Sequence, residues 1–78
     1  MEYLVFGGIG CSACENLKAW LESNGVGYTE LDVIIDCEKA HEYAVRSIPT
    51  SIKLDGEKET GRISGFQLNE AKQFFGVK

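Results

Sequence analysis

A small α/β domain with a mixed β-sheet is the fold class that the sequence predicts. Segments with the periodicity of strands alternate with segments of helical periodicity along the 78 residues. A Cys-x-x-Cys motif, Cys11 to Cys14, stands between the first strand and the first helix. The pair Asp55-Gly56 indicates a tight hairpin near the end of the chain. The predicted order is βαβ followed by ββα: one four-stranded mixed sheet with three helices on its two faces.

The first half of the chain has the pattern of a βαβ unit. The apolar run Glu2–Phe6 is typical of a strand that is buried on both sides. A helix is predicted over Ser12–Ser23, and Asn24-Gly25 ends it. Its apolar residues recur at helical spacing: Ala13, Leu17, Trp20 and Leu21. The alternating segment Tyr28–Ile34 is the second strand, and such a crossover is right-handed.

A second helix is expected over Cys37–Val45, with Asp36 as its N-cap. One side of this predicted helix carries four residues: Cys37, Ala40, His41 and Ala44. Proline disfavours helical geometry in the residue before it, so Pro49 is expected to break the helix.

The last part of the chain predicts a hairpin followed by a helix. Strands over Thr50–Leu54 and Lys58–Ile63 would pair antiparallel around the Asp-Gly turn. Charged residues and Gly61 in the second of these strands suit an edge of the sheet. The final helix begins near Gln67, and four residues at helical spacing are expected to be buried: Leu68, Ala71, Phe74 and Phe75.

Composition and charge exclude several classes of protein. The formal net charge is −4 and basic residues are scattered, so no nucleic-acid footprint is present. On the first helix, Lys18 and Glu22 are spaced to pair. No apolar run reaches transmembrane length, and the N-terminus lacks the pattern of a signal peptide. Three cysteines do not make the disulfide framework of a secreted domain. We expect one domain over residues 1–78, monomeric and cytoplasmic.

The two thiols at the predicted helix start carry the chemistry. Unpaired N–H groups and the helix dipole favour negative charge there, and therefore a reactive thiolate. A Cys-x-x-Cys near a βαβ pattern is typical of a redox site. The alternative is a zinc-binding module, because a Cys-x-x-Cys and a Cys-x-x-x-His could together supply four ligands: Cys11, Cys14, Cys37 and His41. The single Cys-x-x-Cys favours the redox interpretation, with no bound metal.

Three motifs resemble the thioredoxin superfamily, specifically its small glutaredoxin-like branch, and the resemblance covers essentially the whole chain. They are Cys11-Ser12-Ala13-Cys14, Val45-Arg46-Ser47-Ile48-Pro49-Thr50 and Ile63-Ser64-Gly65-Phe66. The resemblance implies a thioredoxin-like fold, a cis Ile48–Pro49 bond facing the dithiol, and disulfide reductase activity. It also implies no bound cofactor other than the redox-active disulfide itself.

The resemblance extends to the residues of the site. Cys11 would be the catalytic nucleophile and Cys14 the resolving thiol. Residues beside them would bind the substrate: Ser12, Ala13, Ile48, Pro49, Thr50, Gly65 and Phe66. A disulfide-containing client protein is the expected partner, with thioredoxin reductase or glutathione as the source of electrons.

Two departures from typical glutaredoxins concern that electron source. No lysine precedes Cys11, and no acidic residue directly follows Ser64-Gly65, although glutathione users carry both. The Ser-Gly-Phe sequence instead resembles redoxins that donate electrons to ribonucleotide reductase and are recharged by a thioredoxin reductase. A glutathione-dependent glutaredoxin remains the alternative.

Overall fold

The computed structural model describes residues 1–78 and contains the seven predicted elements in the predicted order. They are β1 (Glu2–Gly7), α1 (Ser12–Ser23), β2 (Thr29–Asp32), α2 (Cys37–Glu42), β3 (Thr50–Asp55), β4 (Lys58–Ser64) and α3 (Leu68–Phe75). The predicted fold class, a four-stranded mixed sheet with three helices, is confirmed.

The strands follow the order β2-β1-β3-β4 across the sheet. β1 is central, as predicted, and β4 lies at an edge. β1 and β2 are parallel, whereas β3 is antiparallel to β1 and to β4. One end of the sheet therefore brings together Gly7, Asp32, Thr50 and Ser64, and we call it the upper end.

Hydrophobic cores lie on both faces of the sheet because successive strand side chains point to opposite sides. On one face the buried residues are Leu4, Phe6, Ala40, Ile52 and Leu54. On the other face they are Val5, Leu17, Leu21, Ala71 and Phe75, contributed by β1, α1 and α3. Trp20 packs partly buried against this second core, as its place on the apolar side of α1 predicts.

The second strand is shorter than predicted, because the Asp32 carboxylate bends the chain. Its Oδ1 atom accepts hydrogen bonds from the amides of Ile34 (2.7 Å) and Ile35 (3.1 Å). Asp36 is the N-cap residue of α2, as predicted, but its side chain makes no capping hydrogen bond to the helix. Its Oδ2 atom accepts instead from the amide of Asp32, at 2.9 Å, so both carboxylates stabilise the turn rather than α2.

The second helix ends at Glu42, before the predicted end and well before the proline. Ala44 has a φ of 54°, in the left-handed region, and this reverses the chain. The amide of Val45 then donates to the carbonyl of Ala40 at 2.9 Å, and that of Ala44 donates to His41 at 3.0 Å. This is a Schellman motif, so Ala44 does not share the helical face assigned to it.

The third helix buries Ala71 and Phe75 as predicted, and Phe74 is partly buried. Leu68 contradicts the prediction, because 47% of it is exposed. It is the first residue of α3, and Phe66 covers the core in its place by packing on Trp20, with 5.8 Å between ring centroids.

Candidate active site

The cysteines of the Cys-x-x-Cys motif form a disulfide at the start of α1. Their Cα atoms are 5.2 Å apart. Cys11 is the N-cap residue, and its Sγ atom accepts a hydrogen bond from the amide of Cys14 at 3.1 Å. Cys11 is partly exposed, whereas only 1% of Cys14 is exposed. Cys11 is therefore accessible to solvent, and its sulfur is bonded by an amide of the helix start.

Local sequence explains this placement of the two thiols. β1 ends at Gly7, and Gly10 adopts a φ of 76°, which directs the chain from the strand into the helix. The carbonyl of Cys11 accepts the first helical hydrogen bond, from Glu15 at 3.2 Å. Of the two residues between the thiols, Ser12 is exposed and Ala13 is partly buried.

The loop before β3 (residues 47–49, the proline loop) lies against the segment that leads from β1 to Cys11 (residues 7–11, the dithiol loop). The Ile48–Pro49 bond is cis, as the resemblance implied, and Pro49 is buried. A β-carbon placed on Gly8 would lie 3.0 Å from the Cδ1 atom of Ile48. The Ile48 side chain thus packs on the chain only three residues before Cys11.

The remaining predicted binding residues are at the same upper end of the sheet. Thr50 is 2% exposed, and its hydroxyl donates to the carbonyl of Ser47 at 2.6 Å. The amide of Gly65 donates to the carbonyl of Pro49 at 2.7 Å, which joins the end of β4 to the proline loop. Phe66 follows and is partly buried. The structure therefore brings all three motifs to one end of the sheet.

Comparisons with known proteins agree with this arrangement. No protein-family model and no curated protein matches the sequence. Among solved structures, the thioredoxin-like protein BC3987 is 30% identical, with a TM-score of 0.73 over 92% of this chain and 97% of that one. The chain belongs to the thioredoxin superfamily.

Authentic thioredoxins share the fold at lower identity. Thioredoxin 1 of Thermosipho africanus is 22% identical, with a TM-score of 0.74 over 99% of this chain and 97% of that one. The thioredoxin of Plasmodium falciparum is 16% identical, with a TM-score of 0.86 over 96% of this chain and 82% of that one. The disulfide and the superfamily together support a thiol–disulfide oxidoreductase.

An ion-pair cluster that the sequence analysis missed lies beside the dithiol loop of this thioredoxin-superfamily member. Lys18 bonds Glu30 at 2.7 Å and Glu15 at 3.1 Å, and these hydrogen bonds raise the pKa of Lys18. The predicted partner, Glu22, instead accepts a hydrogen bond from Tyr28 at 2.8 Å. The spacing of Glu15 and Lys18 was a visible signal, but Glu30 comes from a neighbouring strand.

The positive charge of Lys18 offsets the carboxylates that lie beside the dithiol loop. Lys18 and Glu30 line a hollow of about 170 Å³ together with Gly7, Gly8 and Ile9 of the dithiol loop. Lys18 balances Glu15, the acidic residue in the first turn of α1. Without this ion pair, the Glu15 carboxylate would destabilise a thiolate at the same helix end by repulsion between like charges.

The four residues of the zinc alternative are not gathered at one point. No group of three or more His, Cys, Asp and Glu side chains is placed to hold a metal ion. Cys37 is a free, exposed thiol on α2, and His41 is exposed one turn later. No helix has the length and apolar character needed to cross a bilayer.

Proposed function

We propose that this protein reduces protein disulfides by dithiol exchange, with Cys11 as nucleophile and Cys14 as resolving thiol. The observation that carries the proposal is the Cys11–Cys14 disulfide at the helix N-terminus, with one partner accessible and the other buried. Only an accessible sulfur can meet a second protein, and only the sulfur at the N-cap receives a helix amide.

The first step forms a mixed disulfide. The Cys11 thiolate of the reduced protein attacks one sulfur of the substrate disulfide. A bond forms between Cys11 and that sulfur, and the bond between the two substrate sulfurs breaks. The second substrate sulfur leaves as a thiolate and takes a proton from water.

The second step releases the product. Cys14 gives its proton to the solvent and attacks the Cys11 sulfur, which forms the Cys11–Cys14 bond and breaks the mixed disulfide. The substrate sulfur released from Cys11 takes a proton from the solvent, so the substrate gains two electrons and two protons in all. The protein loses two electrons and the Cys14 proton, and the solvent supplies the other proton because Cys11 reacts as a thiolate. An external dithiol reductase of the flavin-dependent thioredoxin reductase type then restores the two thiols.

Neighbouring residues have supporting roles in this proposal. Backbone groups near Ser12 and Ala13 stabilise the thiolate. The substrate chain passes across the surface that the proline loop and Gly65-Phe66 form together, close to Thr50. The Ser-Gly-Phe sequence favours a client of the ribonucleotide reductase type.

A stoichiometric assay tests the chemistry without any recharging system. The protein carries Cys37→Ser, because that exposed thiol would otherwise react on its own. It is reduced with dithiothreitol, desalted and mixed with Ellman's reagent. We expect two thionitrobenzoate anions per chain and a reformed Cys11–Cys14 disulfide. Release of only one anion, or none, would show that the two thiols do not act as a pair.

A further inference from the structure

Three large apolar side chains at the upper end of the sheet are almost wholly exposed. Ile9 is 99% exposed, Ile34 is 78% exposed and Ile35 is 81% exposed. Single exposed apolar residues are ordinary on a protein surface, but a group of them marks an interaction site. We call these three residues the isoleucine ridge.

The members of the ridge leave the sheet from two adjacent strands. Gly7 at the end of β1 is in register with Asp32 at the end of β2. The amide of Val33 donates to the carbonyl of Gly7 at 3.0 Å. The loops that carry Ile9 and the Ile34-Ile35 pair therefore start side by side, and the first of them leads directly to Cys11.

The part of the ridge formed by Ile34 and Ile35 is held in place by the turn that carries it. Asp32 accepts hydrogen bonds from the amides of both Ile34 and Ile35, and Asp36 accepts from the amide of Asp32. The turn also closes through its backbone, from the amide of Asp36 to the carbonyl of Asp32 at 2.7 Å. A surface that is already ordered loses little entropy when a partner binds to it.

Carboxylates predominate among the charged residues around the ridge. Residues 30–38 include Glu30, Asp32, Asp36 and Glu38 and no lysine or arginine. Lys18 compensates only Glu30 among them. An apolar ridge bordered by carboxylates is complementary to an apolar surface bordered by basic side chains.

We propose that the isoleucine ridge docks the protein substrate, and that the substrate disulfide is flanked by apolar and basic residues. This inference rests on the proposed disulfide reductase function. It adds a second contact surface on the β2 side of Cys11, opposite the proline loop and Phe66 on the β3–β4 side. The isoleucine ridge would not increase the rate at which acidic substrates or small disulfides are reduced.

Single-turnover kinetics with synthetic cyclic disulfide peptides test the proposal. One peptide flanks its disulfide with leucine and lysine, and a second replaces each lysine by glutamate. The reduced protein, in the Cys37→Ser background, is compared with the same protein carrying Ile34→Ser and Ile35→Ser. Leu68→Ser is the matched control, because Leu68 is also an exposed apolar residue but lies beyond β4. Ellman's reagent measures the intrinsic reactivity of the dithiol.

We expect the double substitution to lower the second-order rate constant for the leucine–lysine peptide about tenfold. The reaction with Ellman's reagent and the Leu68→Ser control should stay within about twofold of the parent protein, since neither depends on the ridge. The glutamate peptide should react more slowly than the lysine peptide, with a difference that shrinks at high salt.

The outcomes distinguish a failure of the proposed function from a failure of the docking surface. If the parent protein reduces neither peptide nor Ellman's reagent, the proposed function itself is wrong. If it reduces them all, but the double substitution leaves the leucine–lysine peptide unaffected, the ridge is not a docking surface. An equal loss with Leu68→Ser would also overturn the proposal, because the effect would then not belong to the ridge.

Discussion

The Sγ atom of Cys14 packs against the backbone of Gly7. A β-carbon placed on Gly7 would lie 3.3 Å from that sulfur and 3.4 Å from the Cys14 β-carbon. The first distance is shorter than an ordinary van der Waals contact, the second lies at the lower limit of one, and Cys14 is only 1% exposed. The resolving thiol therefore occupies its position because the residue at the end of β1 has no side chain.

We predict that Gly7→Ala lowers the free energy of unfolding by about 1–3 kcal/mol, because it overpacks a closed site. Urea denaturation of the oxidised protein measures the change. Gly61→Ala on β4 is the control, since its β-carbon would make an ordinary 3.5 Å contact with Phe74. The cost of Gly7→Ala should shrink when Cys11→Ala and Cys14→Ala are both present, and an unchanged cost would place the strain elsewhere.

Ala44→Gly should stabilise the protein by about 1 kcal/mol, since glycine has no steric penalty at a positive φ. The residue has a φ of 54° and closes the Schellman motif of α2. Thermal unfolding should show a rise in Tm of about 5 °C. Ala19→Gly makes the same replacement at an exposed position inside α1 and should destabilise by about 1 kcal/mol. A similar loss of stability in Ala44→Gly and in Ala19→Gly would contradict the strain assigned to Ala44.

Sequence periodicity predicted where the elements lie better than where they end. The ends depend on short-range hydrogen bonds and backbone conformations that the spacing of apolar residues does not record. β2 stops because the Asp32 carboxylate binds two amides of the next turn. α2 stops because Ala44 takes a conformation usual for glycine, and alanine by itself predicts continued helix. In contrast, Asn24-Gly25 is a local signal, and α1 ends at Ser23 as predicted.

The candidate site likewise has parts that the sequence could predict and parts that it could not. The three motifs lie close to one another because strand order and direction bring their loops to one end of the sheet, and that order was implied by a resemblance. The contact of Cys14 with Gly7 and the pairing of Lys18 with Glu30 join residues of separate elements. Only the relative placement of α1, β1 and β2 creates such contacts, so spacing along the sequence could not predict them.

Tyr28 should ionise at a higher pH than an ordinary tyrosine. Burial of the phenol, followed by its hydrogen bond to Glu22, raises the pKa of Tyr28 to about 12. The pKa of Tyr28 in the folded protein exceeds the unfolded value of about 10. The contribution of Tyr28 to the free energy of unfolding is therefore complete below pH 10 and is lost as the pH rises towards 12. Phenolate absorbance follows the ionisation, and the step should be missing from Tyr28→Phe. Glu22→Gln should lower the pKa only in part, since burial remains; an unchanged pKa would exclude the hydrogen bond as a cause.

The two thiols should fail in different ways. Cys14→Ser keeps the accessible nucleophile but cannot resolve the mixed disulfide, so we expect a stable covalent adduct with a disulfide substrate. Cys11→Ser leaves only the buried thiol and should lose at least about a hundredfold in rate. Mass spectrometry in the Cys37→Ser background detects the adduct, which dithiothreitol should release. An adduct formed at Cys14 by Cys11→Ser, at the parent rate, would reverse the assignment of roles.

The ion pairs of the basic side chains favour one of the two candidate electron sources. Glutathione carries two carboxylates and one amine, and a site that holds it must pair those charges. Lys18 is already bonded to Glu15 and Glu30. Arg62 is likewise occupied, by the Glu59 carboxylate at 2.6 Å and the carbonyl of Tyr43 at 2.7 Å.

We therefore predict that a flavin-dependent thioredoxin reductase recharges this protein better than glutathione does, by about tenfold or more in kcat/KM. Arg46, before the proline loop, is the basic residue there that makes no ion pair. Coupled NADPH oxidation, with each system in parallel and one disulfide acceptor, measures the difference. Arg46→Ala is the control and should change neither rate by more than about twofold. Efficient turnover with glutathione that Arg46→Ala abolishes would instead identify a glutaredoxin in which Arg46 pairs a carboxylate of the tripeptide.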